Sequence, residues 1–148
     1  MRREDKIKVY LAAPFDQCRR EDMTNAINTL RNDCCVEVYA PVEHFIPNAW
    51  DYPNDEWALM VFESDVTAIN NCDILVLLSY GRLQTAGSAW EAGYAFALGK
   101  KVIVVEMNDE VASLMVSNGR YATLHGLKEL ADYNWTEMPK SRTKTEQK

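Results

Sequence analysis

The segment Asp73-Ile74-Leu75-Val76-Leu77-Leu78-Ser79 constrains the fold more than any other part of the chain. A strand with one face in water alternates apolar and polar residues, whereas an unbroken apolar run needs cover on both faces. That is the setting of a central strand in a parallel sheet. The remaining pattern supplies what such a strand requires. Ile7 to Ala13 reads as a first strand stopped by Pro14, Val36 to Ala40 as a second ended by Pro41, and Lys101 to Val105 as a fourth. Met23, Ala26, Ile27 and Leu30 mark a helix from about Arg20 to Arg31. Further helices are predicted from about Asp55 to Asn70 and from Gly87 to Leu98, the latter with Gly99 as its stop signal. A short helix over Glu110 to Val116, an edge strand over Tyr121 to Leu124 and a last helix over Leu127 to Tyr133 complete the series. The stretch from Pro41 to Asn54, with three prolines and several aromatics, reads as a long loop, of the kind that is usually functional or mobile.

Alternating strands and helices predict an α/β fold: a single-domain doubly wound, flavodoxin- or Rossmann-like parallel sheet of about five strands flanked by helices. A length of 148 residues suits one domain. It is expected to span residues 1–139, followed by a disordered, polar, basic tail over 140–148. Ligands of such sheets bind beyond the carboxyl ends of the strands, which places the loops after Ala13, Ala40 and Ser79 around one crevice.

Charge narrows the partners. The net charge is −6, and the tail carries Lys140, Arg142, Lys144 and Lys148 against Glu146 alone, so the body is more acidic still. Such a surface is a poor match for a nucleic-acid polymer, whose binding depends on phosphate neutralisation. A single small nucleotide needs only one local group of donors. No apolar run approaches the roughly 18 residues of a membrane span, and the N-terminus leads into a strand without a signal-peptide core, so a cytoplasmic protein with no membrane partner is expected. Cys18, Cys34, Cys35 and Cys72 match no zinc-site spacing and read as reduced thiols. No metal site and no cofactor is suggested.

The segment Thr85 to Ala95 joins the central strand to a helix, with Gly87 and Ser88 where the backbone must approach a ligand. Glu91 falls in or near the first helical turn, where the helix dipole favours its ionised form. An ionised carboxylate at the crevice is what attack on an anomeric carbon requires, although a first-turn acid can also merely complement the dipole. Asp65 shares a helix face with Trp57, Val61 and Ala68, a setting that desolvates the acid and lets it hold a proton. It would then donate to a departing base, unless it is a boundary acid that reaches water. Tyr10, late in the first strand, could orient Glu91 by a hydrogen bond, though a strand tyrosine is more often plain core. Two acids, one attacking and one donating, match the division of labour in retaining glycoside hydrolysis.

Three blocks together resemble the nucleoside 2-deoxyribosyltransferase family, which includes glycosidases of nucleoside 5′-monophosphates. They are Val9 to Phe15, then Glu56-Trp57 to Asp65 with Ile69 and Asp73, then Gly87 to Ala95. The resemblance implies Glu91 as nucleophile, Tyr10 as the residue orienting it and Asp65 as proton donor. It implies Phe15 and Trp57 as the aromatic pocket around the base, and Ser113 and Met115 as residues reaching into a neighbouring subunit's site, hence a homo-oligomer. Substrates would be a deoxynucleoside or nucleotide and a free nucleobase. Thr85 and Ser113 stand where many transferases have an acid and an asparagine; with the glycine-rich helix start and Arg19 or Arg20 they suit a phosphate. Where the transferases have a base-binding glutamine, the chain reads Glu43-His44-Phe45, which makes His44 a candidate base contact or a solvated loop residue. Transfer of deoxyribose to another base is placed first and hydrolysis of a monophosphate second. A phosphoribohydrolase lacks its doubled-glycine loop here, and a silent nucleotide-binding module is the non-enzymatic alternative.

Overall fold

A computed structural model describes residues 5–14, 16–44, 46, 48–81 and 86–140 of the chain. Five parallel strands form one sheet in the order β2-β1-β3-β4-β5: β1 (Ile7–Ala12), β2 (Val36–Tyr39), β3 (Ile74–Ser79), β4 (Lys101–Glu106) and β5 (Ala122–His125). The helices are α1 (Arg20–Arg31), α2 (Asn54–Asn71), α3 (Ala86–Ala97), α4 (Leu114–Asn118) and α5 (Gly126–Asp132). This is the single-domain, doubly wound arrangement that the sequence predicts. The expected tail beyond residue 140 lies outside the described residues.

The apolar run of β3 is buried throughout, and its alternate side chains feed two separate cores. Val76 and Leu78 join Val9, Leu11, Ile103 and Val105 beneath Met23, Ala26, Ile27 and Leu30 of α1 and Leu130 of α5. Leu75 and Leu77 join Tyr10, Ala12, Val102 and Val104 beneath Ile69 of α2 and Ala92 and Ala95 of α3. Each such aliphatic side chain contributes about 1.5–3 kcal/mol on leaving water, so cores on both faces make β3 the mechanical centre. Helix α3 ends where expected. Gly99, at φ +80, donates to Phe96 O and Lys100 N donates to Ala95 O, a left-handed stop that suits glycine.

Two elements differ from expectation. The short helix predicted over Glu110 to Val116 runs instead over Leu114–Asn118, capped by the Ser113 hydroxyl. The reason is local. The Asn108 side chain accepts from Glu110 N and donates to Tyr80 O, which holds residues 108–110 in a turn. The predicted loop after β2 contains two short 3-10 turns, Pro41–Glu43 and Ala49–Asp51.

The chain moves from β1 out to β2 and then crosses back over β1 to β3. At that reversal, connections leave the carboxyl ends of adjacent strands in opposite directions and open a crevice.

Candidate active site

The crevice is a cavity of about 500 Å³, of the size that holds a small organic ligand. Its walls come from the carboxyl end of β1 (Leu11, Ala13), the segment after β2 (Ala40, His44, Trp50), α2 (Trp57, Val61, Ser64, Asp65) and the start of α3 (Gly87, Ser88, Glu91). Asp65 and Glu91, 26 residues apart in sequence and on different helices, therefore face one space.

Glu91 is the sixth residue of α3 and lies in its second turn, beyond the reach of the terminal dipole. The Tyr10 hydroxyl donates to Glu91 Oε2, and Glu91 itself lines the cavity. Burial dominates the electrostatics. It pushes the Glu91 carboxyl up to about 7, the Tyr10 hydrogen bond pulling it down and the nearby Asp65 charge adding to the rise. This corrects the sequence-based expectation of a carboxylate ionised by its helix end. Burial likewise raises Asp65, partly offset by His44, which is the direction expected for a proton-holding acid. Tyr10 is itself held well above the usual phenol range by burial and the facing Glu91, and so stays a donor.

A family model for nucleoside 2-deoxyribosyltransferases matches residues 9–126, most of the chain and all of the elements that build this cavity. The chain belongs to the nucleoside 2-deoxyribosyltransferase family. Among solved structures, a 2-deoxyribosyltransferase of Bacillus psychrosaccharolyticus superposes with a TM-score of 0.82 at 27% identity, over 90% of this chain and 97% of that one. Two others share the fold at lower identity. A conserved protein of Enterococcus faecalis V583 has a TM-score of 0.70 at 19%, over 86% of this chain and 96% of that one. A CMP N-glycosidase of Clostridium botulinum has a TM-score of 0.57 at 21%, over 84% and 94%. No curated protein sequence matches significantly. The family, the Bacillus 2-deoxyribosyltransferase and the Clostridium CMP N-glycosidase are enzymes of N-glycosidic bond chemistry.

Within the family fold, the sequence-selected residues divide into three groups. Asp65, Glu91, Gly87, Ser88, Trp57 and His44 line the cavity, with Tyr10 directly behind Glu91. Arg19 does not line it: its guanidinium pairs with Asp16 at 3.1 Å and lies over the Tyr80 ring at 4.3 Å, so nearer partners engage the charge expected to meet a phosphate. Ser113 caps α4 and Met115 is 79% exposed, both outside this chain's cavity. Phe15 and Thr85 lie outside the described residues.

The structure adds Tyr39, which sequence reading passes over. Strand register sets Tyr39 beside Tyr10, with ring centroids 5.6 Å apart and 15° between planes. Its other side meets the His44 ring at 4.1 Å and 6°. Its hydroxyl shares a 3.1 Å hydrogen bond with Ser64, next to Asp65. Three rings thus run from the glutamate's partner to the cavity's histidine. The only sequence signal was its position late in β2, matching that of Tyr10 in β1, and using it requires knowing the register. Each aromatic pair is worth about 0.5–1.5 kcal/mol, so Tyr39→Leu should cost about 1–3 kcal/mol in urea unfolding, whereas Tyr39→Phe keeps most of that. Equal losses in the two variants would contradict the stacking account.

Proposed function

We propose that this enzyme cleaves the N-glycosidic bond of a 2′-deoxynucleoside, or of its 5′-monophosphate, and passes the deoxyribosyl group to another base. The observation that carries the reading is the convergence of Glu91 and Asp65 on one cavity, with Glu91 held by Tyr10. The free Glu91 oxygen attacks the anomeric carbon as the bond to the base breaks, its electron pair leaving on the base nitrogen. Asp65 gives that nitrogen a proton, and the sugar is left as an ester of Glu91. An acceptor base then attacks the same carbon, Asp65 takes its proton, and Glu91 departs as carboxylate. A buried carboxyl near 7 is a stronger base once ionised, and the positive charge developing on the sugar draws it into that form. Trp57 and Trp50 supply apolar walls for a flat base. Among the described residues the reaction as drawn uses no cofactor.

A second reading, hydrolysis of a 5′-monophosphate, draws support from the start of α3. Its first turn carries no acid, and Gly87 and Ser88 present it to the cavity, a setting that suits an anion. Incubating deoxynucleosides and their monophosphates with and without a second base, and following products by chromatography, separates the two. New nucleoside that appears only with an acceptor supports transfer. Base released from the monophosphate alone supports hydrolysis, and no product from any substrate leaves a binding module.

We extend the proposal to assembly as a homo-oligomer. Helix α2 buries only Ile69 fully, and Leu59 and Phe62 on it are exposed. Phe62 meets the exposed Trp90 of α3 at 5.5 Å, and Phe96 packs near Gly119 beside the exposed Leu114 and Met115. Exposed apolar side chains of this number and size suit a second copy, to whose site Ser113 and Met115 would contribute. Light scattering should give a multiple of the chain mass that Phe62→Glu with Trp90→Glu reduces to one; a wild-type monomer would refute it. We also place the reaction in the cytoplasm, as its four unpaired cysteines suit a reducing compartment. No helix among the described residues is long and apolar enough to cross a membrane.

A further inference from the structure

The turn between α1 and β2 stands at the amino ends of the strands, the edge of the sheet opposite the cavity. It contains the adjacent Cys34 and Cys35, for which the active site has no use. In extended backbone, consecutive side chains point to opposite faces, and two such thiols would diverge. Here the backbone turns instead. Asp33 O accepts from Val36 N at 3.2 Å, Asp33 Oδ1 accepts from Cys35 N at 2.8 Å, and Cys35 O accepts from Ile7 N at 2.8 Å. These bonds tie the turn to the first strand of the sheet. One ligand atom each from Asp33, Cys34 and Cys35 consequently lies within 4.8 Å of the others.

We propose that Asp33, Cys34 and Cys35 form a binding site for a soft divalent cation such as Cd²⁺ or Zn²⁺, with two thiolates and one carboxylate as ligands and water completing the shell. Metal–sulfur bonds of about 2.3 Å in a tetrahedron set ligand atoms roughly 3.5–4 Å apart, which the observed cluster reaches by small side-chain rotations. The Asp33 carboxylate also holds the turn, accepting from Cys35 N through Oδ1. Cys34 is exposed and its two companions are half-buried, so an ion can enter from solvent. Two sulfurs and a carboxylate favour a thiophilic ion over calcium or magnesium, which take oxygen. Burial, with Cys34 and Asp33 beside it, holds the Cys35 thiol above its ordinary range. A cation reverses that disadvantage. The binding step is balanced without redox change: two S–H bonds break, two metal–sulfur bonds form, two protons go to solvent and bound waters leave the ion. Linear spacing does not announce the site, because zinc patterns are read from separated cysteine pairs and this one comes from three consecutive residues in a turn.

The test titrates the full chain, reduced and stripped of metal, with Cd²⁺ while recording thiolate-to-metal charge-transfer absorbance and released protons. The expected result is saturation at one ion per chain with two protons released. Cys34→Ser or Cys35→Ser should abolish the signal, Asp33→Asn should weaken binding roughly tenfold or more, and Cys18→Ser should leave it unchanged. Alkylation of the wild-type thiols, mapped by mass spectrometry, keeps the test decisive if a variant misfolds: Cd²⁺ should protect Cys34 and Cys35. An unsaturable signal, an unprotected pair, or a Cys34→Ser/Cys35→Ser variant that binds like wild type would overturn the proposal.

Discussion

Glu91→Gln is expected to abolish turnover and, above neutral pH, to make the protein more stable. Loss of the nucleophile leaves binding and shape intact but removes the group that forms the covalent bond, and single losses of this kind lower kcat by about 10⁴-fold or more. The stability gain follows from the same burial that positions the group. Glu91 titrates near 4.5 in an unfolded chain and at about 7 in the folded one. Between those values the folded protein keeps a proton that the unfolded chain has already lost. Stability therefore falls as pH rises through that window and levels off above it. Glutamine carries no charge to desolvate and still accepts from Tyr10. The variant should match wild type near pH 4 and exceed it by up to about 3 kcal/mol at pH 8, a rise of roughly 5–10 °C in Tm. Thermal melts of both proteins at the two pH values check this. A stability difference of the same size at both, or a weaker variant at pH 8, would show that Glu91 is not held against its ionisation.

Asp65→Asn should give the second-largest effect, and one with a different signature. Asparagine preserves the shape of the side chain in the cavity but has no acidic proton to pass to the departing base. Cleavage should slow by about 10²–10⁴-fold, most severely for bases that leave poorly as anions and least for those that leave well. The effect belongs in kcat, with KM nearly unchanged, because a proton passed only in the transition state adds nothing to ground-state binding. A loss that is uniform across leaving groups, or confined to KM, would assign Asp65 to binding.

Both acids were legible in the sequence, and for different reasons. Asp65 announces itself because Trp57, Val61 and Ala68 recur around it at helical spacing, so its burial can be inferred without coordinates. Glu91 announces itself through its small-residue surroundings after an unmistakable central strand, but its electrostatics do not. Its burial depends on how Tyr10, Asp65 and the segment after β2 close over α3, which is tertiary information. Tyr39 shows the same limit, since its two stacks and its bond to Ser64 exist only once β2 is set in register against β1. Arg19 is the converse case. Its place just past β1 suggests Arg19 or Arg20 as charge for a phosphate, and the fold supplies Asp16 and Tyr80 as closer company for Arg19. The central place of β3 was readable because its unbroken apolar run needs cover on both faces, whereas the displaced α4 was not, because one asparagine side chain turns the backbone just before it.

The claim on which the rest depends is that a Glu91 oxygen becomes bonded to the sugar. Incubation with a deoxynucleoside fluorinated at C2′ destabilises the developing cation and slows release of the covalent intermediate, so that peptide mapping by mass spectrometry can locate it. The account predicts one glycosyl adduct per chain, on Glu91 and absent from Glu91→Gln. Product formation with no adduct, or an adduct on another residue, would contradict it.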